Sequence, residues 1–573
     1  MSGAYTYPGV YIQELPSPVH TINGVPTAIT ALVGAATRGP VNEPISIFSV
    51  ADYQRAFGAD STLPLDQAVS LFYQNGGGAA IIVRVVPASL VAARPPAGSL
   101  PAEVHAISPG AWGNNLSITV NQAGLSAAQK TTMYSLTVTL TTTDKTTGAQ
   151  QKTVEQYVGI SVDPTSTRSL KAMIASSNLV AWVAPTTTTA GGTGPTGAAP
   201  APGPTGAAPA PGATGATAEA GATGATAEAG ATGAAATGAT GAGATGATAP
   251  APPPIPLTTF SLVGGDAGSQ QPSEPDLVGD PATPRGFYAV AKHNTFFNML
   301  VLTPVGGATE VAPATYVAAA GFVTPLRAML IADAPVAWNS PAAAVLGHDA
   351  FFNPFGVDRP NAAVYYPRLQ LTDATGATIP NVGPSAAVAG LHALTDSQRG
   401  VWKAAAGIAV QLTGVSALSY AMSDGENGQL NPIAINCLRA LPTIGNVVWG
   451  ARTMDGEDIL ASQWKYIPIR RLALYIESSL YQGTQWVVFE PNDEPLWAQV
   501  RLNIGAFMHT LFRQGAFQGT TAKEAYFVKC DSDTNPQADI DNGILNVIVG
   551  FAPLKPAEFV VIKIQQIAGQ IAV

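Results

Sequence analysis

The sequence predicts a multidomain protein that combines α/β and α+β folds, and three observations support this fold class. The chain has 573 residues, which is too many for one hydrophobic core. Strand-like and helix-like segments alternate through its N-terminal and middle parts, as is typical of a largely parallel sheet. The region 445–555 is dense in aromatic and aliphatic residues and carries two strong helix patterns.

Charge is scarce along the whole chain. Charged residues make up 11% of the sequence, where about 25% is usual. Such a surface protects a soluble monomer poorly against self-association, which favours a subunit covered by copies of itself. An Ala/Gly-rich genome is the alternative explanation. The net charge is −9 without a basic run, so no nucleic-acid partner is expected.

The cysteines and the N-terminus indicate the compartment. Cys437 and Cys530 are the two cysteines, so neither a disulfide framework nor a metal site is expected. The six histidines are scattered, and no cofactor is predicted. The start lacks the features of a signal peptide, and an apolar run of about 18 residues is absent, so no membrane insertion is expected. We expect assembly in the cytoplasm and exit by lysis or within a particle.

The chain begins with a predicted arm, residues 1–20. Alternation around Val10, Tyr11 and Ile12 indicates one short strand, and the flanking prolines prevent a long helix. A lone strand is not stable by itself. It must therefore pair with a sheet edge in this subunit or in a neighbour.

Two predicted regions follow the arm. Residues 21–94 form an N-terminal α/β part, with strands and helices predicted at 28–34, 50–57, 65–73 and 80–86. Residues 95–265 form a β-rich outer insertion, with strands predicted at 116–120, 134–140, 156–160 and 259–263. Within it, 186–256 repeats with a period of nine, and its interrupted glycines exclude a collagen helix. We predict a flexible, partly polyproline-like surface insert there.

The second half divides into three predicted regions. Residues 266–444 form an α/β middle domain, because apolar strands alternate with helices. Residues 445–555 form an α+β module, with a helix opening near Pro468, a strand at Trp486–Glu490 and a helix after the Asn492-Asp493 capping signal. Residues 556–573 form a C-terminal arm with a strand that carries Phe559, Val561, Ile562 and Ile564.

Joined motifs in the N-terminal, middle and C-terminal parts resemble the sheath protein of contractile tails and contractile injection systems. They are YPGVYIQEL at Tyr7, TAITALVGAATRGPVNEP at Thr27, SPGAWGNNL at Ser108, NAAVYYPRL at Asn361, GPSAAVAGLHALTDSQRGVWKAAAG at Gly383, VVWGARTM at Val447 and YIPIRRLALYIESSLYQGTQWVVFEPND at Tyr466. The resemblance leaves out most of the β-rich insertion and the nine-residue repeat.

The resemblance implies a structural role. Sheath subunits form hexamer rings that stack helically around an inner tube, between baseplate and terminal cap proteins. The sheath contracts and drives the tube through a target envelope, while terminal arms exchange strands with neighbouring subunits. A subtilisin-like fold is implied for 266–444 and an inner assembly role for 445–555. The particle is then a phage tail or an injection system.

Two sets of residues are candidates for contacts in such an assembly. The orphan strands around Val10 and Phe559 suit strand addition to a neighbour. A tube must be held weakly, which a few charge pairs on the two C-terminal helices suit. Those residues are Arg470, Arg471, Glu477, Glu494 and Arg501. Ordinary solvated helix faces are the alternative interpretation.

Two rival functions come from other classes. A subtilisin-like serine hydrolase would use Asp333, His348 and Ser385, which occur in that order. Order alone is weak evidence, because a triad is defined by geometry. Ser385 is more simply explained as a helix cap, and no enzyme activity is predicted. A surface coat or adhesin would explain the repeat, but the missing secretion signal opposes it.

Overall fold

A computed structural model describes residues 21–87, 89–99, 101–143, 148–184, 257–265 and 271–563. Outside 184–256, these residues belong to one compact unit. The predicted N-terminal strand with Val10, Tyr11 and Ile12, the nine-residue repeat and Ile564 lie outside the described residues.

The described residues contain β-strands that fall into five sheets. In chain order they are β1 (Thr30–Gly34), β2 (Ile45–Ile47), β3 (Ala80–Arg84), β4 (Val104–Ala106), β5 (Leu116–Asn121), β6 (Met133–Thr143), β7 (Gln150–Ser161), β8 (Val180–Trp182), β9 (Thr259–Ser261), β10 (Met299–Leu302), β11 (Met329–Asp333), β12 (Ala362–Tyr366), β13 (Leu369–Thr372), β14 (Thr378–Val382), β15 (Ala417–Leu418), β16 (Asn436–Leu441), β17 (Gly445–Val448), β18 (Tyr526–Lys529) and β19 (Ile548–Phe551).

The α-helices begin at residues that suit a helix start. Ser49, Ser340 and Asp493 accept hydrogen bonds from backbone N–H groups of the first turn of their helices. In chain order the helices are α1 (Val50–Phe57), α2 (Pro64–Gln74), α3 (Leu170–Met173), α4 (Glu274–Val278), α5 (Pro313–Val323), α6 (Pro341–Phe352), α7 (Ser385–Arg399), α8 (Asp424–Leu430), α9 (Ile467–Gly483), α10 (Glu494–Arg513), α11 (Ala522–Ala525) and α12 (Gln537–Asp541).

An eight-stranded sheet forms the centre of the unit, in the order β17-β16-β12-β11-β10-β1-β3-β2. Neighbours from β16 to β3 run parallel, and the edge strands β17 and β2 are antiparallel. Strand β1 pairs with β3 on one side and with β10 on the other. The predicted parts 21–94 and 266–444 therefore contribute to one sheet.

Helices cover both faces of this sheet. Side chains of α5 and α6 pack with Leu330 and Val364 on one face, and those of α1, α2 and α7 pack with Ile331 and Ala363 on the other. Strands β10, β11 and β12 are buried at every position, as parallel sheets between two helical layers are. The α/β prediction is confirmed.

The insertion folds as antiparallel β-structure, with sheets in the orders β7-β6-β5-β9 and β4-β8. Its base is attached to the main sheet by Arg84 at the end of β3. The buried guanidinium donates to the carbonyl oxygens of Ala36, Gly39, Thr37 and Pro109 at 2.9, 2.9, 3.3 and 3.0 Å. Burial lowers the pKa of Arg84 to about 10.

Helices α9 and α10 pack together in the C-terminal module. Their shared core includes Leu472 and Ile476 from α9, and Trp497, Ile504 and Met508 from α10. The starts predicted from Pro468 and Asn492-Asp493 are confirmed.

The strand predicted at Trp486–Glu490 is wrong. Residues Gln485–Val487 form a 3-10 turn instead. Phe489 follows with a left-handed φ of 73° and a fully exposed side chain, a conformation that a strand cannot contain. Elsewhere, across the described ranges, no helix is both long and apolar enough to cross a membrane.

Candidate assembly surface

The C-terminal module carries an incomplete sheet. Within the part of the chain that the structure describes, strands β18 and β19 form a two-stranded sheet, with Tyr526 opposite Phe551 and Lys529 opposite Ile548. One face packs on the core of α9 and α10, while Phe527 and Ile548 are about half exposed. Within the described residues, each strand keeps one edge without a strand partner, which is a template for strand addition.

The C-terminal arm lies open in the same subunit. Residues Phe559 to Ile562 are 75% to 81% exposed and are not part of a strand. The strand predicted to begin at Phe559 is therefore not formed over its described residues, 559–563. Its pairing with a neighbour, which would order Phe559, Val561 and Ile562, stays a prediction.

The structure places Arg471 in the interior, so a surface role for it is wrong. Its guanidinium donates to both carboxylate oxygens of Asp396 on α7, at 2.9 and 2.7 Å, and to the carbonyl of Thr27 at 2.9 Å. Both side chains of the ion pair are at most 4% exposed. Burial and Arg471 hold the pKa of His392 well below its usual value, so a neutral imidazole faces the guanidinium. This pair joins the C-terminal module to the α/β domain.

The side chain of Arg470 also makes most of its contacts within the subunit. Its Nε donates to Asn361 at 3.0 Å, and its guanidinium lies 4.7 Å from the ring centre of Trp464. Desolvation lowers the pKa of Arg470. Its longer contact with Glu477, 3.5 Å, reaches a carboxylate that is 43% exposed.

Glu494 and Arg501 lie on the accessible side of α10. They form an ion pair at 2.6 Å, with Glu494 59% and Arg501 31% exposed. Arg501 also donates to the carbonyl of Cys530. Of the five charged residues proposed for tube contact, Glu477, Glu494 and Arg501 are thus available at the surface.

The three residues of the hydrolase hypothesis do not form a triad. Asp333 accepts directly from the backbone N–H and the hydroxyl of Ser385, at 2.8 and 2.9 Å. His348 instead contacts Asp349 at 2.9 Å and stacks on Phe352. Its buried Nε2 has no hydrogen-bond partner among the described residues and lies 3.9 Å from the carboxylate of Glu457, so neither ring nitrogen bonds to Asp333 or Ser385.

Asp333 supports the start of α7, and the prediction that Ser385 caps this helix is wrong. Ser385 is the first helical residue, and its N–H is satisfied by the carboxylate at the end of β11. The residue before it on the chain, Pro384, has no N–H to satisfy. Desolvation raises the pKa of Asp333 despite the nearby Arg368. The arrangement joins β11 to α7, and the serine hydroxyl bonds to Asp333 rather than to His348.

A buried cluster that the sequence analysis missed lies at Arg452. The guanidinium, 1% exposed, contacts Glu558 of the C-terminal arm and Asp458. The sequence feature that could have indicated this cluster is the arginine within the apolar segment VVWGARTM. Glu558 lies 106 residues away and cannot be recognised as a partner without the fold.

The residues 461–567 match the family described as the phage tail sheath C-terminal domain. The matched region holds α9, α10 and the β18–β19 pair, and the resemblance to tail sheath proteins is confirmed. The chain is 25% identical over 240 residues to a prophage major tail sheath protein of Pseudomonas aeruginosa strain UCBPP-PA14, covering 42% of this chain and 58% of the relative.

Two further similarities agree. The tail sheath protein of Vibrio phage KVP40 is 26% identical over 177 residues, which are 31% of this chain and 25% of the relative. The contracted helical sheath of the anti-feeding prophage has the same fold, with a TM-score of 0.53 at 21% identity, over 98% of this chain and 100% of the other. The chain spans 58% and 25% of the length of the two curated relatives.

Proposed function

We propose that this chain is the structural subunit of a contractile sheath. Its subunits would assemble as stacked hexamer rings around an inner tube, and contraction would drive the tube through a target envelope. The sheath C-terminal domain at 461–567 carries the proposal. Baseplate and terminal cap proteins would be the further partners, in a phage tail or an injection system that assembles in the cytoplasm.

The linkage between subunits would be strand exchange. Two open sheet edges on β18 and β19, together with an exposed apolar arm at Phe559–Ile562, support it. Each added main-chain hydrogen bond contributes about 1 kcal/mol, so a few bonds per arm would hold neighbours together. Contacts of this head-to-tail kind generate helical filaments when the rotation does not close.

The inner tube would be gripped through weak charge pairs. Glu477, Glu494 and Arg501 are the accessible candidates on α9 and α10. Exposed pairs contribute about 0–1 kcal/mol each, which suits a contact that must be released. The subtilisin-like description of the middle domain is a proposal as well, supported by its parallel sheet between two helical layers.

Deleting residues 1–15 tests the strand exchange. We expect the truncated chain to fold, because the described core begins after these residues, but to form no tubes. Negative-stain microscopy of the full chain should show striated tubes, and circular dichroism of the truncated chain should match the full chain. Intact tubes from the truncated protein would contradict the role of the arm, and monomers of the full chain under all conditions would contradict the proposed function.

A further inference from the structure

The chain leaves the C-terminal module after β19 as a strap. Ala552 donates to the carbonyl of Ala525 and accepts from Gln518, both at 2.8 Å. Beyond these bonds, the described residues 554–563 make no backbone hydrogen bond to other described residues. Backbone hydrogen bonds therefore do not fix the direction of this strap, residues 554–563. Side-chain contacts must do so.

Glu558 supplies the contact that fixes this direction. Its carboxylate accepts two hydrogen bonds from Arg452, from Nε at 2.8 Å and from the second terminal nitrogen at 2.6 Å. The remaining terminal nitrogen of Arg452 donates to Asp458 at 2.9 Å. Burial and the nearby Glu558 also raise the pKa of Tyr466. The pair is bidentate and largely screened from solvent, the geometry in which such bonds are strongest.

Arg452 is itself held on the α/β side of the subunit. Its backbone N–H donates to the side chain of Asn436, the first residue of β16, at 2.7 Å. A groove of about 890 Å³ lies between this point and the C-terminal module, lined by Trp402, Trp449 and Gln514 and by the strap residues 554–559. The strap therefore crosses from the module to the α/β domain and is fastened at its far end.

We propose that Arg452 is a positioning residue that clamps the C-terminal arm through Glu558. Phe559 follows the clamp directly, so the clamp sets where the exposed apolar segment leaves the subunit. Holding one end of an arm in place reduces the conformational entropy that docking must remove. This inference rests on the proposed function, because the position of the arm matters only in an assembly.

Glu558→Gln tests the clamp, since it removes the charge and keeps the shape. A nitroxide attached to Ala557→Cys, next to the clamp, reports on the motion of the strap, and the native cysteines are buried. We expect the label to become more mobile and tube formation to require a roughly tenfold higher protein concentration, a change of about 1.4 kcal/mol. The melting temperature should stay within about 2 °C, because Arg452 keeps its ion pair with Asp458 when Glu558 loses its charge.

Lys555→Gln is the matched control, because Lys555 is exposed in the same strap and has no ion pair within the described part of the chain. It should change neither the mobility of the label nor the protein concentration needed for tube formation. An immobile label in Glu558→Gln would overturn the clamp, and a mobile label with unchanged tube formation would overturn its role in assembly. If the unmodified chain forms no tubes, the proposed function fails, while label mobility still decides whether the clamp exists.

Discussion

The α/β domain and the C-terminal module differ in how far their strands are paired and buried. In the α/β domain, strands β10, β11 and β12 each have a neighbour on both sides and are buried at every position. In the module, β18 and β19 have one strand partner each, and no residue of either strand is fully buried. Among the described strands, β10, β11 and β12 therefore have their backbone and apolar groups satisfied within the chain, whereas β18 and β19 do not.

This difference suggests that the α/β domain determines the stability of the monomer, whereas β18 and β19 determine its assembly. A sheet that is covered on both faces gains its stability from burial within one chain. A two-stranded sheet is marginal alone and gains stability when strands are added to its edges. We therefore expect substitutions in the α/β domain to change the free energy of unfolding of the monomer. Substitutions on the outer positions of β18 and β19 should change polymerisation.

The largest effect is expected at the joint between the two regions. Arg471→Ala leaves the carboxylate of Asp396 buried without its cation, which costs about 3–5 kcal/mol and should uncouple α9 from α7. Urea denaturation of the monomer measures the loss, and separate transitions for the two regions would sharpen the comparison.

Glu494→Gln is the control for the joint, because the Glu494–Arg501 pair is exposed and should contribute about 0–1 kcal/mol. If Arg471→Ala costs no more than this control, the buried pair does not couple the regions and the comparison fails.

A pH effect is expected from Asp66 in the α/β domain. Burial raises the pKa of Asp66 from 3.8 to about 6, although its carboxylate accepts from Tyr53 at 2.5 Å. The folded state therefore binds the proton more tightly than the unfolded state. The contribution is full below pH 3.8 and is lost as the pH rises through 6, by about 3 kcal/mol in total. Unfolding free energies of the native chain and Asp66→Asn, compared from pH 3.5 to 7, should show this slope.

Asp373→Asn provides the control of opposite sign. The hydroxyl and backbone N–H groups of the same turn lower the pKa of this exposed carboxyl. Its contribution should grow as the pH rises, because the charged form is favoured in the folded state. A difference curve for Asp66→Asn that is flat, or that has the slope of Asp373→Asn, would refute the assignment.

The smallest effect is expected when the same methyl group is removed from one strand of each region. This pair of substitutions compares the two regions directly. Ile331→Val in β11 removes a fully buried methyl group and should cost about 1 kcal/mol. Ile548→Val in β19, half exposed in the monomer, should change monomer stability by less than about 0.5 kcal/mol. It should still raise the concentration needed for tube formation. Equal costs in the monomer would show that β19 is already covered.

Local signals in the sequence predicted much of the fold. Pro468 and Asp493 marked the starts of α9 and α10, because proline and a capping carboxylate act within one helical turn. The continuous apolar run at 80–83 marked a strand buried on both faces. Such features depend on neighbours a few residues away, so one sequence contains them.

The remaining features depend on partners that are distant in sequence. Arg471 looks like a surface cation on a helix, and only the packing of α9 on α7 brings Asp396 to it. Glu558 and Arg452 are likewise brought together by the fold and not by their positions in the sequence. The apolar residues at Trp486–Glu490 resemble a strand, but hydrophobicity alone does not supply a neighbouring edge. Ser385 resembled a cap because Asp333, the group that takes this role, lies 52 residues away.

The position of β1 also has a consequence for synthesis of the chain. Strand β1 pairs with β10, so Leu32 lies opposite Val301. A ribosome must add all the residues between them before that pairing can form. At typical elongation rates this takes on the order of 10 to 50 seconds. During that interval one edge of β1 stays open on the nascent chain. Fast translation or a chaperone that covers this edge should therefore raise the yield of folded subunit.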